Sequence, residues 1–173
     1  LQTGMLLIRQ YLENQERRKA LNMVRTLRIQ FPDDPTVARS MGLALLANEQ
    51  PGEALAQFQT LLDEQPESPE LWQLTASAHA QLDDYERAIE ALDRALALRA
   101  DFIPALAGKV QVHARADQPE LALEVARQLQ SVADAGDLGH KLEGDVLSQQ
   151  GDFSAAAEAY QPAYDMAPSG QLA

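Results

Sequence analysis

The sequence predicts an all-α protein built as a linear array, or solenoid, of about five helical hairpins. Three observations carry that prediction. Apolar residues make up 46% of the 173, yet aromatics only 5%; Ala and Leu dominate, both good helix formers and poor strand formers. Alanine recurs every 34 residues, at Ala20, Ala54, Ala88, Ala122 and Ala156. A turn signal stands ahead of each of them: NQERR, NEQPGE, DDYE, DQPE and GDFS. Self-similarity at such a period is the signature of a repeat architecture.

Each unit reads as two helices joined by short turns. The first helices are predicted over roughly 3–14, 35–48, 69–82, 103–116 and 137–150, and the second over roughly 17–31, 52–64, 85–99, 119–132 and 154–167. Asp34-Pro35 and Ser68-Pro69 each place a capping side chain before a proline in the first helical position, where the missing N–H costs nothing. Pro51 and Pro119 open two second helices in the same way. Asp83 with Glu86 reads as a capping-box variant. Pro32, Pro66 and Pro168 stop helices, because proline clashes with the turn behind it. Twelve residues before each alanine come Ile8, Gly42, Ala76, Val110 and Gly144; four after it come Val24, Phe58, Leu92, Ala126 and Tyr160. The small residues Gly42, Ala76 and Gly144 are expected to face the repeated alanines across each hairpin. Small against small would let the axes approach to about 8–10 Å, and enlarging Ala88 would cost about 1–3 kcal/mol.

These columns resemble the tetratricopeptide repeat family. The copy from Trp72 to Leu96 carries Trp72, Ala76, Tyr85, Ala88, Ile89, Leu92, Ala95 and Leu96. The copy from Gly144 to Pro168 carries Gly144, Gly151, Phe153, Ala156, Tyr160, Ala163 and Pro168. The first and fourth copies depart from the pattern: Ile8 and Val110 fill the small-residue column, and Lys109 stands where an apolar residue is usual. Repeats are placed at about 1–34, 35–68, 69–102, 103–136 and 137–170 of a single array. The chain opens on Leu1 and ends in PSGQLA, so the array is expected to be a fragment of a longer protein.

The resemblance implies a right-handed superhelix of helical hairpins with a concave groove, binding a protein or peptide segment without catalysis. Carried over column by column, it assigns the groove to Met5, Arg9, Leu12, Arg39, Leu43 and Leu46, then Gln73, Ser77 and Gln81, then Gln111, Arg115, Lys141 and Asp145. The first six give a mostly apolar half and the amides a polar one. Family members that clamp a terminal carboxylate use Lys and Asn from three successive inner faces. That set is missing, and Glu70 would repel such a ligand. More distantly, the Ala-rich copies and GHKLEGDVLSQQGDF are similar to exported bacterial repeat lipoproteins of exopolysaccharide and exosortase systems. That resemblance implies an alternative role as a structural spacer in a longer, exported or membrane-anchored chain. It leaves a cytoplasmic location open.

Charge narrows the partners. The 26 acids against 14 bases give −12, which repels phosphate backbones and argues against nucleic acid and anionic lipid. No run of eighteen apolar residues is present, so this segment is not expected to insert in a membrane. With no cysteine there is neither disulfide nor thiolate metal site. His79 and His113 share one column, otherwise filled by Tyr11, Leu45 and Leu147, and read as packing residues rather than metal ligands. His140 lies in the column of Trp72 and reads the same way. No cofactor, metal or nucleophile motif is predicted. Exposed array ends, near Leu172 for instance, would favour self-association.

Overall fold

The computed structural model describes residues 1–166. Among them are ten helices: α1 (Gln2–Glu13), α2 (Arg17–Gln30), α3 (Pro35–Ala47), α4 (Pro51–Glu64), α5 (Pro69–Gln81), α6 (Tyr85–Leu98), α7 (Ile103–Arg115), α8 (Pro119–Gln130), α9 (Gly136–Gln149) and α10 (Phe153–Met166). No strand occurs among the described residues. The chain divides into two compact units, Leu1–Ala91 and a second beginning at Leu92, so the division falls inside α6. Within each unit, successive helices pack against one another as hairpins. The predicted stop at Pro168 and the end at Leu172 lie outside the described residues.

Helix starts follow the local chemistry. Asp34 Oδ1 accepts the N–H groups of Thr36 (2.8 Å) and Val37 (3.1 Å), and Ser68 Oγ accepts that of Leu71 (3.3 Å). Pro35, Pro51, Pro69 and Pro119 each occupy the first residue of a helix. The cap of α6 differs from the expected one. Asp84, not Asp83, accepts the Arg87 N–H, at 3.3 Å. Asp83 is displaced because its own backbone is left-handed, φ 57°.

That left-handed residue recurs. Gln15, Glu49, Asp83, Asp117 and Gly151, spaced 34 apart, all have positive φ. Each ends a first helix in the same way. The following N–H reaches back to the carbonyl five residues earlier, from Glu16, Gln50, Asp84, Gln118 and Asp152 to Tyr11, Leu45, His79, His113 and Leu147, over 2.7–3.1 Å. The left-handed residue itself bonds the carbonyl three before it. This is the Schellman closure, which satisfies carbonyls that a helix end leaves open. Only Gly151 meets it without a Cβ; the other four positions accept about 1–2 kcal/mol of backbone strain.

Between repeats the link differs. Phe31, Gln65 and Arg99 each end a second helix, and a bond of 3.1–3.4 Å closes each turn three residues on. Trp72 Nε1–H donates to the Pro66 carbonyl at 2.8 Å and fastens the second link. The fourth link is longer. α8 stops at Gln130, short of the expected 132, and Asp134 is left-handed where the earlier repeats have Pro32 and Pro66. A fixed proline φ cannot be left-handed, so losing the proline permits this path. α10 runs through Pro162.

The five repeated alanines are buried, four of them with no exposed surface and Ala156 with 3%. Their expected partners are corrected. A Cβ on Gly42 would lie 2.3 Å from Phe58 Cε1, and one on Gly144 would lie 2.4 Å from Tyr160 Cε1. The glycines therefore face the column four residues beyond the alanine, small against large. The degenerate copies differ from each other: the fourth puts the larger residue on the first helix, and the first has a branched residue on both. Val110 and Ala126 share a core cluster in the second unit, and Ile8 and Val24 share one in the first.

Lys109, out of place by pattern, is explained by its neighbour. Its Nζ lies 2.5 Å from Asp93 Oδ1 in the preceding helix. One repeat on, the same two columns hold Arg127 and Glu143, joined at 2.9 Å, with Gln130 Nε2 adding a bond of 2.7 Å. The ion pair recurs with its polarity reversed.

Candidate functional site

In the first unit α1 touches α3, and in the second α7 touches α9. The first helices therefore line the inner side of each unit, where a hairpin stack brings neighbours closest. The thirteen residues assigned to this face fall into three groups. Arg9, Arg39, Gln81, Gln111, Arg115 and Lys141 are exposed. Met5, Leu12, Leu43, Gln73, Ser77 and Asp145 are half-buried. Leu46 is only 7% exposed and belongs to the core of the first unit, so it does not present a binding surface. It lies three residues past Leu43 on a helix whose apolar residues leave little face open, and the column rule could not tell the two apart.

Several half-buried members are already engaged. Met5 and Leu12 pack against the core of the first unit, and the Met5 sulfur accepts the Ser40 hydroxyl at 4.0 Å. Gln73 Nε2–H donates to Ser77 Oγ at 3.1 Å, and that hydroxyl donates to the Gln73 carbonyl at 3.1 Å. Asp145 accepts the Tyr160 hydroxyl at 2.7 Å. That hydrogen bond, with smaller help from burial and the carboxylate charge, raises the Tyr160 pKa above its ordinary value.

Among the described residues, clefts open between α7 and α9 and at the start of α3. In the second unit, a cleft of about 280 Å³ lies between α7 and α9. Val110, Ala114, Leu142 and Val146 form its apolar lining, and Gln111, Arg115, Asp145 and Gln149 its polar lining. In the first unit, a cleft of about 180 Å³ lies at the start of α3, lined by Pro35, Thr36, Arg39, Leu61, Gln65, Ser68 and Leu71. Gln111, Arg115 and Asp145 are brought together in the first cleft, and Arg39 joins the second. The remaining assigned residues line neither. The apolar lining Val110, Leu142 and Val146 was absent from the assignment. Its signal is present in the sequence: Leu142 and Val146 are one turn apart and flank Asp145.

The histidines behave as packing residues. His113 is 6% exposed, and its Nδ1 lies 2.8 Å from Gln118 Oε1. His79 Nδ1 lies 3.6 Å from Asp84 Oδ2, too long for a hydrogen bond, and has no other partner among the described residues. Burial holds the His79 pKa below its ordinary value, outweighing the attraction of Asp84, which Arg87 also engages. Among the described residues no group of three His, Asp or Glu side chains converges as a metal site. None of their helices is long and apolar enough to cross a membrane.

The chain is similar in structure to a thermophilic protein of Thermus thermophilus, TTC0263 (18% identity, TM-score 0.83, covering 98% of this chain and 92% of that one). It is also similar to a tetratricopeptide repeat protein of Parabacteroides merdae (16%, 0.82, 98% and 66%) and to PilF of Pseudomonas aeruginosa (14%, 0.73, 95% and 75%). Identities this low bear on fold alone. No curated protein matches the sequence. The sequence profile of the tetratricopeptide repeat matches residues 39–102 and 141–173, more than half of the chain. With hairpins recurring every 34 residues and small-against-large contacts at the family's columns, this chain belongs to the tetratricopeptide repeat family.

Proposed function

We propose that the chain is a non-catalytic scaffold that holds a segment of another protein against the inner face of its first helices. The observation that carries this reading is the cleft between α7 and α9. Its apolar lining can seat an aliphatic or small aromatic side chain. The exposed Gln111 and Gln149 amides beside it make no hydrogen bond among the described residues and can pair with the main chain of an extended segment. Each amide offers both donors and an acceptor, the groups an unpaired peptide strand needs. His79 and His113 are read as structural, since each turns toward the start of the following helix.

The test is selection of peptides from a displayed random library against the chain, followed by affinity measurement on an Ala114→Phe variant, which fills the cleft. The reading expects selected peptides to lose at least about tenfold in affinity while circular dichroism stays unchanged. Selected peptides that bind the variant equally well would move the site elsewhere. A library that yields no binder would favour the spacer reading, in which the repeats set distance within a longer exported chain.

A further inference from the structure

The outer side of α2 carries a charge unlike the rest of the molecule. Its fourteen residues, RRKALNMVRTLRIQ, hold five of the chain's fourteen bases and none of its 26 acids. Outside this helix nine bases face 26 acids, a balance of −17. Two of the five bases are used locally: Arg17 bonds Glu49 at 3.1 Å, and Lys19 pairs with Glu16. Arg28 is half-buried. Arg18 and Arg25 are exposed and pair with no acidic group among the described residues.

Arg18 and Arg25 lie seven residues apart, two helical turns, and so share one face with Asn22 between them. Ile29 continues the stripe one turn further and is 84% exposed. The face opposite, Ala20, Leu21, Val24 and Leu27, is the buried one. The equivalent columns of the other second helices differ. Where α2 has Arg18, they have Gly52, Glu86, Glu120 and Ser154; where it has Asn22, they have Ala56, Glu90, Glu124 and Glu158. Where it has Ile29, α4, α6 and α10 have Asp63, Ala97 and Asp165, and the residue after α8 is Ser131. Where it has Arg25, they have Gln59, Asp93, Arg127 and Gln161, and Arg127 is paired with Glu143. No other second helix carries two bases along this stripe, and an aliphatic side chain stands in a column that is otherwise small or polar. Neither change serves the packing of α2, whose contacts lie on the other side.

We propose that this stripe is a docking surface for a short acidic segment of a partner protein, whose carboxylates meet Arg18 and Arg25 and whose aliphatic residue packs on Ile29. It is separate from the inner face and goes beyond the groove reading. Charge complementarity defines the chemistry, and size selects the class of partner. From Arg18 to Ile29 the helix rises about 16 Å, room for two or three turns of a second helix. Screening in physiological salt acts over about 8 Å, so a segment confined to the stripe is governed by its arginines. A DNA duplex or an anionic bilayer extends well past it and meets the surrounding negative charge.

The test uses the full chain and a fluorescein-labelled amphipathic helical peptide, with glutamates flanking a leucine stripe. A short DNA duplex and vesicles of phosphatidylcholine with phosphatidylglycerol are titrated in parallel at one ionic strength. The peptide is expected to bind more tightly than the duplex or the vesicles, with an affinity that falls as salt rises. Arg18→Glu/Arg25→Glu should weaken it at least about tenfold. Ile29→Asp should weaken it further, whereas Ala114→Phe should leave it unchanged, which separates this surface from the cleft of the second unit. Helicity is followed for every variant. Absence of peptide binding, equal binding by the double variant, or tighter binding of the duplex or vesicles would overturn the proposal.

Discussion

The hairpins α3–α4 and α7–α8 make the same contact with opposite materials. In the first, Gly42 on the first helix admits Phe58 from the second. In the second, Val110 stands in the glycine's column and Ala126 in that of the phenylalanine, both buried in one cluster. Between these two hairpins the bulk changes sides, so the pair of columns, rather than either one, describes the contact. A repeat read one column at a time looks degenerate at Val110, while the pair shows an exchange.

The sharpest way to break this comparison is to convert one hairpin toward the other. Gly42→Val drives a side chain into the Phe58 ring and should cost about 3 kcal/mol or more. Phe58→Ala alone should cost about 3–5 kcal/mol through the cavity it leaves. The double variant reproduces the α7–α8 arrangement. Urea denaturation should find it more stable than the sum of the singles by at least about 2 kcal/mol. Strict additivity would show that the two columns do not share one space.

A smaller effect tests the exchange of charge. Asp93→Lys sets two cations side by side and should lose about 0.5–1 kcal/mol, since both groups are partly exposed. Adding Lys109→Asp should restore most of it, because Arg127 and Glu143 already use the reversed polarity one repeat later. Thermal melts at low salt would resolve the difference. If the double reversal stays as unstable as the single, the order of the charges matters for a reason beyond their pairing.

The smallest effect concerns the column of Tyr11, Leu45, His79, His113 and Leu147. His79 has a folded pKa below its unfolded one, through burial. Its contribution is therefore complete above pH 6.5 and is lost as pH falls through the folded value. His79→Leu, matching Leu45 and Leu147, should flatten that part of the acid side of a stability–pH curve and leave stability near pH 8 little changed. An unaltered slope just below pH 6.5 would assign the acid sensitivity to other groups.

Much of the fold was legible because its signals are short-range and repeated. Asp34-Pro35 and Ser68-Pro69 give helix starts from adjacent residues, and the 34-residue alanine marks a position that is always buried. What escaped was whatever depends on a contact between columns. Gly42 is small because of Phe58, sixteen residues away, and Lys109 is tolerated because of Asp93, also sixteen away. The left-handed Gln15 and Glu49 escaped for another reason: neither residue type favours that conformation, so only the backbone bonds around them disclose it. The candidate binding face was legible as columns. Leu46 was misplaced because exposure depends on how far neighbouring helices cover each turn.

The Schellman closures bear on how the chain acquires its shape during synthesis. Each is made of main-chain groups within six consecutive residues and needs no neighbouring hairpin. A hairpin bend can therefore set as soon as its own stretch leaves the ribosome, well before the next one exists. Assembly becomes a matter of adding preformed corners in order, with no single nucleus on which the rest must wait.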